Sequence, residues 1–447
     1  MKELVASSEW DSARVTVSIT LDGRVHQVWF AVSGEEPGRE EDFLLSLTLF
    51  PAMVGGARLE LPGEVSPRLL SAVSEIQDVF RLWGAHYWRG KFQNLGHVQV
   101  DAGVRSKPIQ RASGVACFFS GGVDSFYTLL KHRDEVTHII FVHGFDIDLQ
   151  DAELRAQASR MARAVAGEMG KSLIEVETNL RSFSDRAVGW GKYHGAALAS
   201  VALLFQHRFR RVLIAASNTY AELYPWGSHP LLDPLWSTEL TEIEHDGCEA
   251  TRPEKVAYIS EHQLPMRWLR VCHTNTNGAY NCGRCGKCLR ARITLRTVGT
   301  LERCETLPHD LDPAEVAKMK MPNETSRFVI RQNLETLQRL GTEPELAQTL
   351  ATVLDRASRA DEGRTAHTEI RELREQLLQA REQLERTSAK LEASRRVAQR
   401  SRSRSKRLAE RNRQLAARRY TPLDSLASRV LRIPWIGKLV RRKNTAD

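Results

Sequence analysis

The sequence predicts an α/β protein built on a parallel sheet with crossover helices, preceded by a small α+β unit and followed by a long helix. Three observations carry this. Residues 112–217 alternate short apolar runs (115–119, 137–142, 172–176 and 212–216) with amphipathic stretches of helix length (124–132, 151–169 and 192–207), the rhythm of a β-α-β chain with a covered sheet. Residues 13–32 alternate apolar and polar positions around Asp22-Gly23, a dipeptide suited to a tight hairpin turn. Residues 370–415 keep an unbroken three-four heptad spacing, the pattern of a coiled coil.

At 447 residues the chain exceeds one ordinary domain. A hydrophobic content of 42% with 27% charged residues excludes a disordered or collagen-like class. The net charge of +9 is uneven: residues 364–447 hold 23 Lys and Arg against 9 Asp and Glu, leaving 41 against 46 in residues 1–363. The body is mildly acidic, so any contact with nucleic acid, membrane or an acidic partner is expected of the tail. Met1-Lys2-Glu3-Leu4 does not open a secretory signal, and no apolar run of membrane-spanning length occurs. Seven cysteines, four of them bunched, suit a metal site in a reducing compartment, and the expected location is the cytoplasm.

In chain order, residues 1–110 read as an accessory α+β domain: the hairpin, a helix over 66–83 with Leu69, Val73, Ile76 and Phe80 on one face, and a strand near 97–100. Residues 111–304 form the central domain, 305–363 a helical extension, 364–420 the coiled coil and 421–447 a basic amphipathic tail. The coil's apolar columns run through Ile370, Leu377, Leu384 and Leu391 at one end and Leu408 and Leu415 at the other. Its middle is rich in Ser and Ala, and Asn412 in the seam suits a homodimer of fixed register, against the alternative of a single solvated helix. In the tail, Leu426, Leu431, Ile433 and Trp435 are interleaved with Arg429, Arg432 and Lys438, which suits docking on a partner protein or an anionic membrane surface.

Val115-Ala116-Cys117-Phe118-Phe119 runs straight into Ser120-Gly121-Gly122-Val123-Asp124-Ser125 and then a helix. Two glycines let the backbone turn its N–H groups onto a phosphate, and the helix N-terminus adds unpaired donors and partial positive charge. Ser120 and Ser125 add hydroxyls. Downstream, Cys272, Cys282, Cys285 and Cys288 sit close together, with Gly283 and Gly286 inside the knuckles. The pattern suits a closed tetrahedral Zn2+ site of structural kind, and the same four thiolates also suit an iron–sulfur cluster. Cys117, Cys248 and Cys304 have no partner at motif spacing and read as core residues.

The glycine-turn hexapeptide resembles the PP-loop of the N-type ATP pyrophosphatases, and with the cysteine pattern and the following Leu289-Arg290-Ala291-Arg292 the segment 112–300 resembles the 7-cyano-7-deazaguanine synthase family. The resemblance implies a Rossmann-like parallel sheet of the PP-loop ATPase type and an enzyme that adenylates a carboxylate, releases pyrophosphate, and lets ammonia displace AMP to give an amide and then a nitrile. It implies that Ser120, Gly121, Gly122, Val123, Asp124 and Ser125 bind the pyrophosphate of ATP, that Asp124 holds the accompanying Mg2+, that Val142 borders the adenosine, and that the four cysteines hold zinc. The family's acceptor-binding segment after the fourth strand is replaced here by residues 217–229, of which only Tyr224-Pro225 echoes it. A different small carboxylate or amide is therefore the expected substrate. Lys192 and His194, entering a crossover helix on the side where strands end, are candidates to stabilise phosphoryl charge or move a proton, and Asp146 to meet ribose or metal. The expected activity is that of an AMP-forming carbon–nitrogen ligase. A tRNA-modifying enzyme of the same type, and a noncatalytic nucleotide-binding scaffold working through the coiled coil, are the alternatives.

Overall fold

The computed structural model describes residues 2–106, 110–275 and 278–430. The sheet starts as an antiparallel meander of β1 (Lys2–Asp11), β2 (Arg14–Leu21) and β3 (Arg24–Ser33). Asp22 and Gly23 both take left-handed φ values, 51° and 74°, as a two-residue hairpin of the favoured hand requires. Helix α1 (Asp42–Gly55) is apolar almost all round and buried along nearly its whole length. It leads to β4 (Ala57–Val65), parallel to β1, then to the amphipathic α2 (Pro67–His86) and β5 (Val100–Val104). β5 begins at Val100, the last residue of the stretch the sequence suggested, and runs on from there.

The central segment follows as β6 (Gly114–Phe118), α3 (Val123–Lys131), β7 (His138–His143), α4 (Ala152–Glu168), β8 (Ser172–Thr178), α5 (Leu180–Ala187), α6 (Trp190–Leu203), β9 (Phe209–Ala215) and β10 (Glu242–Asp246). All pairings among β6, β7, β8, β9 and β10 are parallel. Alternate residues of these strands serve two cores. Ala116, Phe118, Ile140, Ile174 and Val212 pack on the side of α1 and α6, while Val115, Cys117, Ile139, Phe141 and Leu213 pack on the side of α3 and α4. Burial on both faces is why these strands read as unbroken apolar runs.

The whole sheet has ten strands in the order β10-β9-β6-β7-β8-β3-β2-β1-β4-β5. Its two halves join where β3 runs antiparallel to β8, with Phe30 opposite Thr178 and Val32 opposite Val176. The Asn179 side chain clips the seam by accepting from Trp29 N–H and donating to the Gln27 carbonyl. Residues 1–110 thus extend the central sheet and cover the β8 edge, which would otherwise present unpaired backbone groups.

Beyond β10 come α7 (Arg252–Ser260), α8 (Gln263–Trp268), α9 (Gly286–Thr297), α10 (Pro313–Ala317), α11 (Glu324–Leu340) and α12 (Pro344–Val430). The start of α12 buries Leu346, Leu350 and Val353 against Ile293, Ile330 and Leu337. Met1–Ser358 forms one compact unit, and Arg359–Asp447 a second. In the second unit Leu377, Leu384, Leu391, Leu408 and Leu415 of the heptad columns are exposed. Residues 431–447, which hold most of the basic tail, lie outside the described residues. Among the described residues no helix is long and apolar enough to cross a membrane.

Candidate functional site

In the parallel half β6 is the first strand in sequence, with β7 and β8 on one side and β9 and β10 on the other. The chain therefore changes winding direction between β6 and β9, and a crevice forms beyond the carboxyl ends of those strands. The segment Ser120-Gly121-Gly122 lies there, joining β6 to α3. Gly121 holds φ at 77°, and a Cβ on it would stand 2.7 Å from Met161 Cε and 3.3 Å from Arg270 Cβ, so glycine is required by both conformation and space. The turn is braced by its own hydroxyls: Ser120 N–H donates to Ser125 Oγ (3.2 Å), and that hydroxyl donates to the Gly122 carbonyl (3.1 Å). Arg270 N–H takes the Gly121 carbonyl (2.8 Å). The first N–H groups of α3, from Val123 onward, have no intrahelical acceptor and are left to meet a ligand.

Asp124, in the first turn of α3, is bracketed by cations. Its Oδ2 accepts from Arg252 Nη2 (2.9 Å) and Ser217 Oγ (3.4 Å), and its Oδ1 from Lys255 Nζ (3.4 Å). Burial opposes charge on Asp124, but Arg252 and Lys255 more than reverse that and hold the carboxyl below its usual range. Lys255 is only 2% exposed and also donates to the Ala216 carbonyl at the end of β9 (2.7 Å). Burial lowers its pKa, and Asp124 only partly compensates. Both cations stand on α7, whose start is fixed by a reciprocal cap between Thr251 and Glu254 and by Gln332 of α11 accepting from Arg252 N–H (2.7 Å).

The other sequence candidates are spread along the same strand ends. Asp146, after β7, is exposed, and its carbonyl accepts from Asn275 (3.2 Å). Val142 is half-buried in β7. His194, on the first turns of α6, lies against Trp190 and Trp226, with ring centroids 6.0 and 5.5 Å away, and burial lowers its pKa although Asp233 and Asp146 pull the other way. Lys192 points elsewhere: its Nζ lies over Phe92 (4.7 Å) and Trp88 (5.6 Å), and burial, with Lys91 nearby, lowers its pKa. Of the acceptor-side segment, Tyr224 lies against Trp226 with the rings tilted by 44° and shares a hydrogen bond with Thr325 (2.9 Å). His229 is buried against Trp83 and pushed down to about 4 by burial.

The reading of the sequence missed Arg252, Lys255, Ser217 and Arg270. The string Thr251-Arg252-Pro253-Glu254 was a usable signal, because a Thr followed three residues on by Glu, with Pro between, marks a helix start.

The four predicted metal ligands converge. Cys272, Cys282, Cys285 and Cys288 have all their sulfurs within 4.8 Å of one another, with Cys272–Cys285 at 3.9 Å and Cys282–Cys288 at 4.0 Å. A tetrahedron with Zn–S bonds of about 2.3 Å has edges of about 3.8 Å, so the set fits zinc. Amides of Cys285 and Cys288 point at the Cys282 and Cys285 sulfurs (3.3 and 3.5 Å), the orienting contacts a thiolate centre uses. Asn281 accepts from Val271 and Cys272 N–H (2.9 and 3.1 Å) and donates to the Leu269 carbonyl (2.8 Å), tying the approach to the first cysteine.

Next to the crevice, His245 Nδ1 lies 2.7 Å from Asp233 Oδ2, with both side chains nearly inaccessible. Burial works against the imidazolium, but the Asp233 hydrogen bond and charge dominate and raise His245 to about 9. A pKa raised above the ordinary value near 6.5 gives stability that is complete below about pH 6.5 and disappears as pH climbs through 9. Unfolding free energy is expected to lose about 3 kcal/mol from this pair between pH 6 and pH 10. Urea unfolding at both pH values should show the loss in the native chain and a clearly smaller one in Asp233→Asn; equal losses would refute the assignment.

Comparison with protein-family models, with curated proteins and with solved structures returns no match.

Proposed function

We propose that the chain is an ATP-dependent, AMP- and pyrophosphate-forming ligase of the PP-loop type, resembling 7-cyano-7-deazaguanine synthases in plan and amidating, or converting to a nitrile, a small carboxylate. The observation that carries this is the Gly121-Gly122 turn at the switch point of the parallel sheet, with Asp124 held between Arg252 and Lys255.

In this reading the loop amides and the α3 N-terminus receive the β- and γ-phosphates of ATP. A substrate carboxylate oxygen attacks the α-phosphorus, the bond to the bridging oxygen breaks, and pyrophosphate leaves into the field of Lys255 and Arg252. Ammonia then attacks the acyl carbon and AMP departs. Asp124 would hold Mg2+ through its carboxylate, and the ion would supply neutralising charge to the phosphates. Val142 and Asp146, at the end of β7, border the nucleoside. His194, kept neutral by burial between Trp190 and Trp226, is suited to take a proton from the incoming ammonia, and Trp226 with Tyr224, their rings tilted by 44°, offers an aromatic surface to an acceptor. Lys192, cradled by Trp88 and Phe92, has no part in this step. The tRNA-modifying alternative draws on the basic charge of residues 364–447, and co-purified RNA would favour it.

The test is product analysis. The full chain with ATP, magnesium, ammonium and a panel of aromatic and aliphatic carboxylates is expected to form AMP and pyrophosphate in equal amounts, and only with an acceptor present. Release of ADP and phosphate instead, or no hydrolysis with any acceptor, overturns the reading.

A further inference from the structure

We infer that Arg270 and Arg290 are polyphosphate ligands of this site and that the four-cysteine centre carries them to it, so that metal occupancy sets the affinity for di- and triphosphate. This rests on the nucleotide reading above.

The two arginines are placed symmetrically about the cysteines. Arg270 stands two residues before Cys272 and Arg290 two residues after Cys288. Arg270 is 4% exposed, and its backbone N–H holds the Gly121 carbonyl (2.8 Å), which stitches the segment leading into the metal site to the glycine turn. Its guanidinium donates once, to Asn275 Oδ1 (2.9 Å), and its buried Nε has no partner. No carboxylate among the described residues pairs with it. Arg290 rises from the first turns of α9, with Nη1 3.3 Å from the position of a Cβ on Gly286, and lies within charge–charge reach of Arg252. Its carbonyl accepts from Thr294 (2.8 Å), but among the described residues its guanidinium has no hydrogen-bonding or ion-pairing partner.

Arg292, two residues on and turned to another side of α9, shows the contrast. It is buried like Arg270, whereas Arg290 is half-buried, but the Arg292 guanidinium is consumed by the Gly283 and Pro308 carbonyls (2.9 and 3.0 Å), and it is structural. Arg270 and Arg290 are not consumed. Arg252 and Lys255 bracket Asp124 beside the glycine turn, the Arg270 backbone is stitched to that turn, and Arg290 lies within charge–charge reach of Arg252, so the four cations form a linked set whose bonded carboxylate is that of Asp124. Confining like charges away from water is costly unless an anion joins them. Guanidinium forks beside free helix N–H groups are the donors that a di- or triphosphate takes, two oxygens at a time.

The metal enters because none of the described residues between 270 and 285 lies in an α-helix or strand. What fixes that loop is the Asn281 clip and the convergence of the four sulfurs. Without a cation the four sulfurs lose the bonds that join them, so demetallation frees the segment that carries Arg270 and loosens the Cys285 cap of α9, about one turn before Arg290.

The experiment uses calorimetric titration of the full chain with inorganic pyrophosphate, with ATP–magnesium and with AMP, for the native protein, Arg290→Ala, Arg270→Lys and chelator-stripped native protein. Bound metal and far-ultraviolet circular dichroism are recorded for each. Arg290→Ala should keep its metal and its fold, weaken pyrophosphate and ATP by about tenfold or more, and leave AMP nearly unchanged. Stripped protein should lose at least as much, and restored metal should recover it. If native protein binds pyrophosphate but Arg290→Ala, Arg270→Lys and stripped protein bind it equally well, this inference fails alone. If native protein binds neither pyrophosphate nor ATP, it fails together with the nucleotide reading.

Discussion

Replacing Asp124 with alanine is expected to slow pyrophosphate formation by about a thousandfold without weakening ATP binding. The two effects separate because Asp124 is the negative member of a cationic cluster. Removing it leaves Arg252 and Lys255 facing the phosphates with one more unit of positive charge, which favours a polyanion in the ground state. What is lost, on the proposed function, is the carboxylate that would hold the metal where pyrophosphate must separate from the α-phosphorus. Lys255, buried and left with the Ala216 carbonyl, loses its counter-charge, so the variant should also be less stable by about 3 kcal/mol. Asp124→Asn keeps an acceptor for Arg252 and should recover part of the stability but not the rate. Single-turnover pyrophosphate release, ATP titration and urea unfolding measure the three quantities. A variant with native turnover would show that Asp124 serves folding and not chemistry.

The glycine turn was legible because the information is local: a strand buried on both faces, two glycines and a helix follow one another without a gap in residues 115–130. The cysteine centre was legible for the same reason, three of its ligands lying within seven residues. The cations around the turn were not. Arg252 and Lys255 come from α7, more than a hundred residues downstream, and their approach depends on β10 pairing with β9. β10 reads Glu-Ile-Glu-His-Asp, with only Ile243 apolar, because an edge strand needs little apolar surface and its ionisable groups are spent on local partners. Asp246, for example, binds Thr128, Lys131 and His132 of the α3 end (2.7, 2.8 and 2.9 Å). The surroundings of Lys192 are a long-range matter too: its position on α6 is at the strand ends, and Trp88 and Phe92, contributed by the segment after α2, pack under its ammonium. Strand order across β3 and β8 is equally a long-range fact that periodicity does not record.

Loss of one thiolate is expected to cost the first unit more than any other single change in it. Cys288 is fully buried, and with Cys272 it packs in the core shared by α3, α4 and α9. Cys288→Ala removes a ligand and leaves three sulfurs crowded in a space built for four around a cation. A closed four-thiolate centre contributes its binding energy directly to folding, and the remaining core limits the loss to about 5 kcal/mol. The surrounding chain has little slack: Gly283 sits at φ 74° with a Cβ position 2.8 Å from Pro308 Cγ, so the knuckle cannot relax outward without moving that segment. Native protein should carry one zinc per chain and no visible absorption. An iron–sulfur chromophore would replace zinc as the occupant while preserving the stability argument. Differential scanning calorimetry with metal analysis decides the rest: Cys288→Ala should be metal-poor and unfold at a clearly lower temperature, with the native chain brought to the same temperature by chelation. If chelation removes the metal and leaves the native transition in place, the centre does not hold this part of the fold together.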